Sequence, residues 1–215
     1  MSVVEPDSIE DLREPLRMLK RPFLMRSYEA TPEDYEAIDD EDFKCEYFEG
    51  ELVVHSPASL EHEQVVVFVS SLLREFASRR RLGTVYGSNA VMQLGLRRFS
   101  PDVSYLSTAG EVRVRGGRLH GPMDLVVEIH SSSTRAYDRG DKLRAYQEGR
   151  VPEIWLIDAD EKRFEGIVLR DGNYDRRGLR NGVWSSVVVP GLSLDVSWLW
   201  RRPLPSLDEC RAVGR

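Results

Sequence analysis

The chain has 215 residues, of which 41% are hydrophobic and 31% charged, a balance that builds a packed core rather than a disordered segment. Its two cysteines, Cys45 and Cys210, lie far apart with no Cys or His at ligand spacing, which excludes a disulfide framework and a zinc ribbon and fits a cytoplasmic protein. The net charge of −6 is unevenly spread: residues 1–64 carry 18 acidic and 6 basic side chains, residues 65–215 carry 18 and 24, so a polyanion suits the later part.

Residues 1–26, charged and interrupted by Pro6, Pro15 and Pro22, read as an N-terminal arm without the basic and apolar regions of a leader peptide. Thr31-Pro32-Glu33-Asp34 is a helix start, with a Thr cap, Pro at the first helical position and acids facing the positive end of the dipole. Phe43 to His55 reads as a hairpin turning at Glu49-Gly50. Ser56-Pro57-Ala58-Ser59 opens a long helix whose Val65, Val66, Val69, Leu72, Leu73 and Phe76 fall at helical spacing, closed by Arg79-Arg80-Arg81 and Gly83. The apolar run Val65 to Val69 is far short of the roughly 20 residues that span a bilayer, so no membrane segment is expected.

Short strands follow, over Thr84–Tyr86, Ala90–Leu94, Val103–Leu106 and Leu125–Ile129; the last reads as buried on both faces. Asp138 to Glu148 reads as a helix with Leu143 and Tyr146 inward, and Glu153 to Asp158 as another buried strand. A hairpin turns at Asp171-Gly172, a strand runs from Val183 to Val189, and Trp198, Leu199 and Trp200 pack back onto the body. The alternation gives an α/β fold with a central mixed sheet flanked by helices, an added N-terminal hairpin and a C-terminal hairpin. The expected organisation is an arm over 1–26, one domain over 27–200 and a tail over 201–215.

Two carboxylates stand out. Asp102 follows Pro101 at the head of a strand, and Glu128 lies inside the apolar run Asp124-Leu125-Val126-Val127-Glu128-Ile129. A carboxylate in a buried strand is costly unless paired or metal-bound. Two readings follow: the pair converges on a hard cation, or Asp102 caps a turn while Glu128 pairs with one of the arginines. Only Lys20, Lys44, Lys142 and Lys162 among 30 basic residues are lysine, so a Lys in a chemically useful place carries information.

Ser100-Pro101-Asp102-Val103, Glu128-Ile129-His130, Asp141-Lys142-Leu143-Arg144-Ala145-Tyr146 and Val151-Pro152-Glu153-Ile154-Trp155-Leu156-Ile157-Asp158, in that order, resemble the Uma-type restriction endonucleases of the PD-(D/E)XK nuclease superfamily. The resemblance extends upstream through Cys45 to Val53 and Ser56 to His62 and covers roughly residues 27 to 200. It implies a restriction-endonuclease-like core and a Mg²⁺-dependent endonuclease acting on DNA, with Mn²⁺ able to substitute, no organic cofactor and a homodimeric assembly. Asp102 and Glu128 then ligate the metal together with the backbone carbonyl of Ile129. Glu46 and His62 match further family positions. Glu46 either reaches the metal or is an exposed strand residue; His62 either caps its helix or touches substrate.

The sequence departs from the superfamily pattern two residues after Glu128, where His130 replaces the strand lysine. Family members commonly carry an apolar residue there and a Lys on the following helix, which Lys142 matches. His130 itself either orients water, binds metal or is a satisfied strand-end histidine. Ser131, Ser132, Ser133 and Thr134 offer hydroxyls to a phosphate or to their own backbone. The missing strand lysine keeps a second function in view, a non-catalytic nucleic-acid-binding or assembly module on the same fold. A third is a structural oligomer pairing the acidic arm with the basic body.

Overall fold

The computed structural model describes residues 18–20, 22–38 and 44–213. Most of the expected arm, and Phe43 at the head of the first hairpin, lie outside the described residues. In chain order the first elements are β1 (Leu24–Ser27), α1 (Pro32–Ile38), β2 (Lys44–Phe48), β3 (Glu51–His55) and α2 (Leu60–Arg80). Next come β4 (Gly83–Gly87), β5 (Met92–Leu94), β6 (Arg97–Phe99), β7 (Val103–Ser107), β8 (Val114–Arg115), β9 (Arg118–His120) and β10 (Leu125–Ile129). The remainder is α3 (Arg135–Tyr137), a π-helical turn (Asp138–Lys142), α4 (Leu143–Glu148), β11 (Glu153–Asp158), β12 (Arg163–Arg170), β13 (Asn173–Leu179), β14 (Val183–Ser185), β15 (Ser193–Asp195) and α5 (Leu207–Val213).

Two large mixed sheets carry this α/β fold, where the sequence suggested one sheet with hairpins added. The central one has the order β13-β12-β11-β10-β7-β4, with β10 parallel to β11 and antiparallel to β7. The other runs β1-β3-β2-β6-β5-β9-β8, so the N-terminal hairpin belongs to a seven-stranded sheet. One face of the central sheet packs Val103, Tyr105, Val127, Trp155 and Phe164 against Val65, Phe68, Val69 and Leu73 of α2. The opposite face packs Val126, Ile154, Leu156 and Ile167 against Leu143 and Tyr146 of α4 and Phe48, Met92 and Phe99 of the second sheet. Alternation along each strand thus feeds two cores, which is why these strands read as nearly continuous apolar runs.

Local chemistry sets the boundaries. Ser59 caps α2, its Oγ accepting from the His62 amide at 3.2 Å, and Arg81 ends it in the left-handed region at φ 54°. A side chain at Gly83 would put Cβ 2.2 Å from the Leu106 carbonyl oxygen, so glycine permits β4 to lie against β7. Glu49-Gly50 and Asp171-Gly172 turn their hairpins with all four residues at positive φ.

Four expectations differ. Residues 24–26, assigned to the arm, form β1 with Ser27, whose Met25 and Arg26 pair with Val54 and Val53 of β3. Strands β6, β8 and β9 were not legible, being two or three residues each. The helix expected from Asp138 begins at Arg135 and widens into a π turn, a form that recurs at functional sites. β14 stops at Ser185 because the Val187 and Val188 amides donate to Glu153 Oε2, at 2.8 and 3.1 Å, instead of to a neighbouring strand. Trp198 and Leu199 pack inward as expected. Among the described residues no helix is long and apolar enough to cross a membrane.

Candidate active site

Register brings the carboxylates to one row. Val103 of β7 pairs with Val127 of β10, so Asp102, one residue earlier, comes opposite Glu128. Glu128 pairs with Leu156 of β11, and Leu156 with Glu165 of β12, all four on the face covered by α4. The parallel pair β10 and β11 ends there, and the chain leaves β10 through Ile129 and His130 into the Ser131–Thr134 turn. A cavity of about 800 Å³ opens at this end, lined among others by Lys44, His62, Asp102, Glu128, His130 and Lys142.

Asp102 is fixed on three sides. The Ile129 amide donates to its Oδ2 at 2.8 Å, His62 Nε2 lies 3.2 Å from the same oxygen, and Lys44 Nζ donates to Oδ1 at 2.8 Å. Burial pushes its carboxyl upward, but Lys44 and His62 outweigh burial and hold it well below the ordinary range. His62 therefore contacts an acidic site residue, while Ser59 does the capping.

Lys142 is the centre of the second group. Its Nζ sits 2.8 Å from Glu46 Oε1, 3.0 Å from Glu128 Oε2 and 3.9 Å from Asp138 Oδ1, with its side chain 1% exposed. Burial alone would lower its pKa; the surrounding carboxylates raise it well above the ordinary lysine value, so it is a fixed cation. Glu46 is fully buried, correcting the alternative of an exposed strand residue. It also meets His55 Nε2 at 3.1 Å and accepts from the Ser100 amide at 3.0 Å. Burial raises its carboxyl and Lys142 and His55 more than reverse this, leaving it far below the usual carboxylate value. Glu128 accepts from the Tyr146 hydroxyl at 2.6 Å. Desolvation raises Glu128 to about 8 despite Lys142, with Asp102 and Asp138 adding to the rise. Asp138 is raised by burial and by Asp102.

These shifts share a cause. Four buried carboxylates, Glu46, Asp102, Glu128 and Asp138, surround two ammonium groups, Lys44 and Lys142. With all four ionised, the two ammonium groups leave two negative charges to the imidazoles of His55 and His62, which touch Glu46 and Asp102, and protonation of Glu128 relieves the crowding. A divalent cation would relieve the same crowding. The donors are hard oxygens, the type Mg²⁺ and Mn²⁺ take, and Mg²⁺ needs only one or two carboxylates beside water and substrate oxygens. Among the described residues no three His, Cys, Asp or Glu side chains already converge as a complete ligand set. The charge and the donor chemistry fit such an ion, with substrate and solvent completing the shell.

His130 stands apart from this network. Its side chain is 0% exposed, neither ring nitrogen has a hydrogen-bond partner, and Asp158 Oδ2 is 3.9 Å from Nδ1. Burial and then the Arg139 and Arg135 charges lower it to about 4, so the imidazole is neutral at pH 7. It is not the satisfied strand-end histidine that one reading offered. The Ser131 and Thr134 hydroxyls exchange hydrogen bonds with each other's amides, at 3.2 Å both ways, which is the capping use.

The sequence reading missed Lys44 and Asp138, and gave Tyr146 only a packing role. Signals existed: Lys44 and Glu46 share one strand face at i, i+2, and Asp138, Lys142 and Tyr146 share one helical stripe. Lys44 was also one of only four lysines.

Comparison with known proteins places the family and the fold. A family model described as Uma2, "putative restriction endonuclease", matches residues 32–197. No curated protein matches. Among solved structures, a "putative nuclease belonging to DUF820" from Anabaena variabilis superposes with a TM-score of 0.64 at 17% identity, covering 79% of this chain and 97% of that one.

Proposed function

The chain belongs to the Uma2 family of restriction-endonuclease-type proteins, and on that premise we propose that it is a divalent-metal-dependent endonuclease hydrolysing phosphodiester bonds in DNA. The observation that carries the reading is the crowding of four buried carboxylates around Lys142 and Lys44 at the end of the central sheet. Asp102, Glu128 and the Ile129 carbonyl would hold Mg²⁺ or Mn²⁺. Bound there, the ion supplies Lewis-acid stabilisation of the phosphoryl oxygens and a more acidic attacking water.

The remaining work belongs to the chain's own groups. The Ile129 amide and His62 keep the Asp102 carboxylate oriented. Tyr146 and Lys142 do the same for Glu128. Lys142, a fixed cation lining the cavity, takes the part of the absent strand lysine and stabilises charge on the scissile phosphate. Lys44, 24% exposed on its side chain and likewise lining the cavity, would offer a second ammonium to the phosphate beside Asp102. His130, neutral and unpartnered, offers a hydrogen bond to water rather than a charge.

The test is a cleavage assay on supercoiled and linear DNA with Mg²⁺, Mn²⁺ or neither. Metal-dependent nicking or linearisation, abolished in Asp102→Asn, supports the proposal. DNA binding with no cleavage under any metal would favour the non-catalytic module.

A further inference from the structure

Glu165 lies on β12 in the same cross-strand row as Glu128, two strands away and so about 10 Å from it. Its side chain is fully buried, and three guanidiniums converge on it. Arg139, from the π turn, donates to Oε1 at 2.9 Å; Arg163 lies 2.5 Å from the same oxygen; Arg176 of β13 pairs with Oε2. One arginine would balance the carboxylate. The other two leave a local charge of two positive units, and Arg163 and Arg176 remain 50% and 45% exposed on their side chains.

Arg139 and Arg176 hold Glu165 ionised, and the three arginines together carry more charge than that needs. Like charges gathered on one carboxylate repel one another, and each arginine gives up side-chain freedom to sit there. Such a surplus suits an anion, since guanidiniums held by a carboxylate keep N–H donors for a second partner. Its position is connected to the candidate active site. Arg139 is the charge acting most strongly on His130, and the cavity lining reaches Ala159 and Asp160 in the β11–β12 turn, three residues before Arg163. The nearby acid Asp158 is already engaged by Arg135, Nε to Oδ2 at 2.7 Å.

We infer that Arg139, Arg163 and Arg176 form a phosphate-backbone subsite for DNA, gripping the strand a few nucleotides from the scissile bond while Glu165 holds the three guanidiniums in place. The inference rests on the DNA reading above and adds where the backbone is held. Such a grip reads charge and spacing and is blind to base identity.

The test uses opposite-sign substitutions in the full chain, with affinity for a short fluorescein-labelled duplex read by anisotropy across a salt series in EDTA. Arg163→Gln with Arg176→Gln, which leaves Arg139 on Glu165, should weaken binding roughly tenfold and reduce the salt slope by about two. Glu165→Gln keeps every arginine and removes the competing anion, so it should tighten binding and preserve or steepen the slope. A purely structural cluster gives the contrary pattern, with Glu165→Gln lowering the melting temperature and neither variant moving DNA affinity. That pattern overturns the subsite while leaving the nuclease reading standing. A parent protein that binds no duplex at low salt overturns both.

Discussion

On the proposed reading Lys142, and not His130, takes the part of the strand lysine, and the residue scale is where that assignment can be measured. Lys142 touches Glu46 and Glu128 directly, whereas neither ring nitrogen of His130 has a hydrogen-bond partner among the described residues. Lys142→Ala should therefore cut the cleavage rate by 10²-fold or more, as loss of one electrostatic stabiliser does, and should destabilise the fold by about 3–5 kcal/mol through the carboxylates it strands. Lys142→Arg should recover part of the rate, and single-turnover kinetics on the folded fraction separate the two effects. His130→Leu removes two unpartnered buried nitrogens, so its melting temperature should hold or rise and its rate should stay within a few-fold of the parent. An inactive His130→Leu beside a normal Lys142→Ala would reverse the assignment. Glu165 gives the pH dependence. Burial raises its carboxyl, and the hydrogen bonds and charges of Arg139 and Arg176 more than reverse this, so its folded pKa lies below 4.5. The unfolded chain then binds the extra proton, and the stability Glu165 contributes is complete above about 4.5 and lost as pH falls through the folded value. Glu165→Gln should make the acid limb of a stability-against-pH curve shallower.

At the scale of elements, the strands that carry chemistry were the most legible and the parts that hold them were the least. β10 and β11 announced themselves as apolar runs, and β11 is bounded as the sequence suggested, Glu153 to Asp158. Glu128 stood out as an acid inside one of those runs, and Asp102 as an acid at the head of β7. Lys44 did not, because its partner Asp102 is 58 residues away in sequence and only the sheet order brings them together. Nor did the anchoring of the C-terminal layer. Glu153, at the start of β11, is fully buried and accepts from the indoles of Trp155 and Trp184, the Ser186 hydroxyl and the Val187 and Val188 amides. It pins residues 184–188 onto the central sheet, which periodicity cannot foresee. Glu153→Ala strands five donors and should cost at least about 3 kcal/mol in a denaturant titration. Gly166→Ala should act on the same contact, since a Cβ there falls 2.2 Å from the Trp184 ring, and intrinsic tryptophan fluorescence should report the displaced indole.

For the whole molecule, charge is sorted by the fold rather than by position in the chain, since three of the four clustered carboxylates come from the basic part of the sequence. Asp102 before β7, Glu128 of β10 and Asp138 of the π turn line one cavity with Glu46 of β2 buried behind Lys142, and arginines from the π turn, β12 and β13 gather on Glu165 in the same cross-strand row as Glu128. The overall balance of −6 disfavours indiscriminate binding to polyanions, while the local pattern suits a bound cation and a phosphate backbone side by side. The central claim is that the carboxylate cluster is built for a divalent ion, and titration calorimetry with Mn²⁺ on the parent, Asp102→Asn and Glu128→Gln tests it without reference to cleavage. The account predicts saturable binding near one ion per chain by the parent and a sharp loss in both variants, whose circular dichroism stays like the parent's. A parent that takes up no Mn²⁺, or variants that bind it as tightly as the parent, would contradict it.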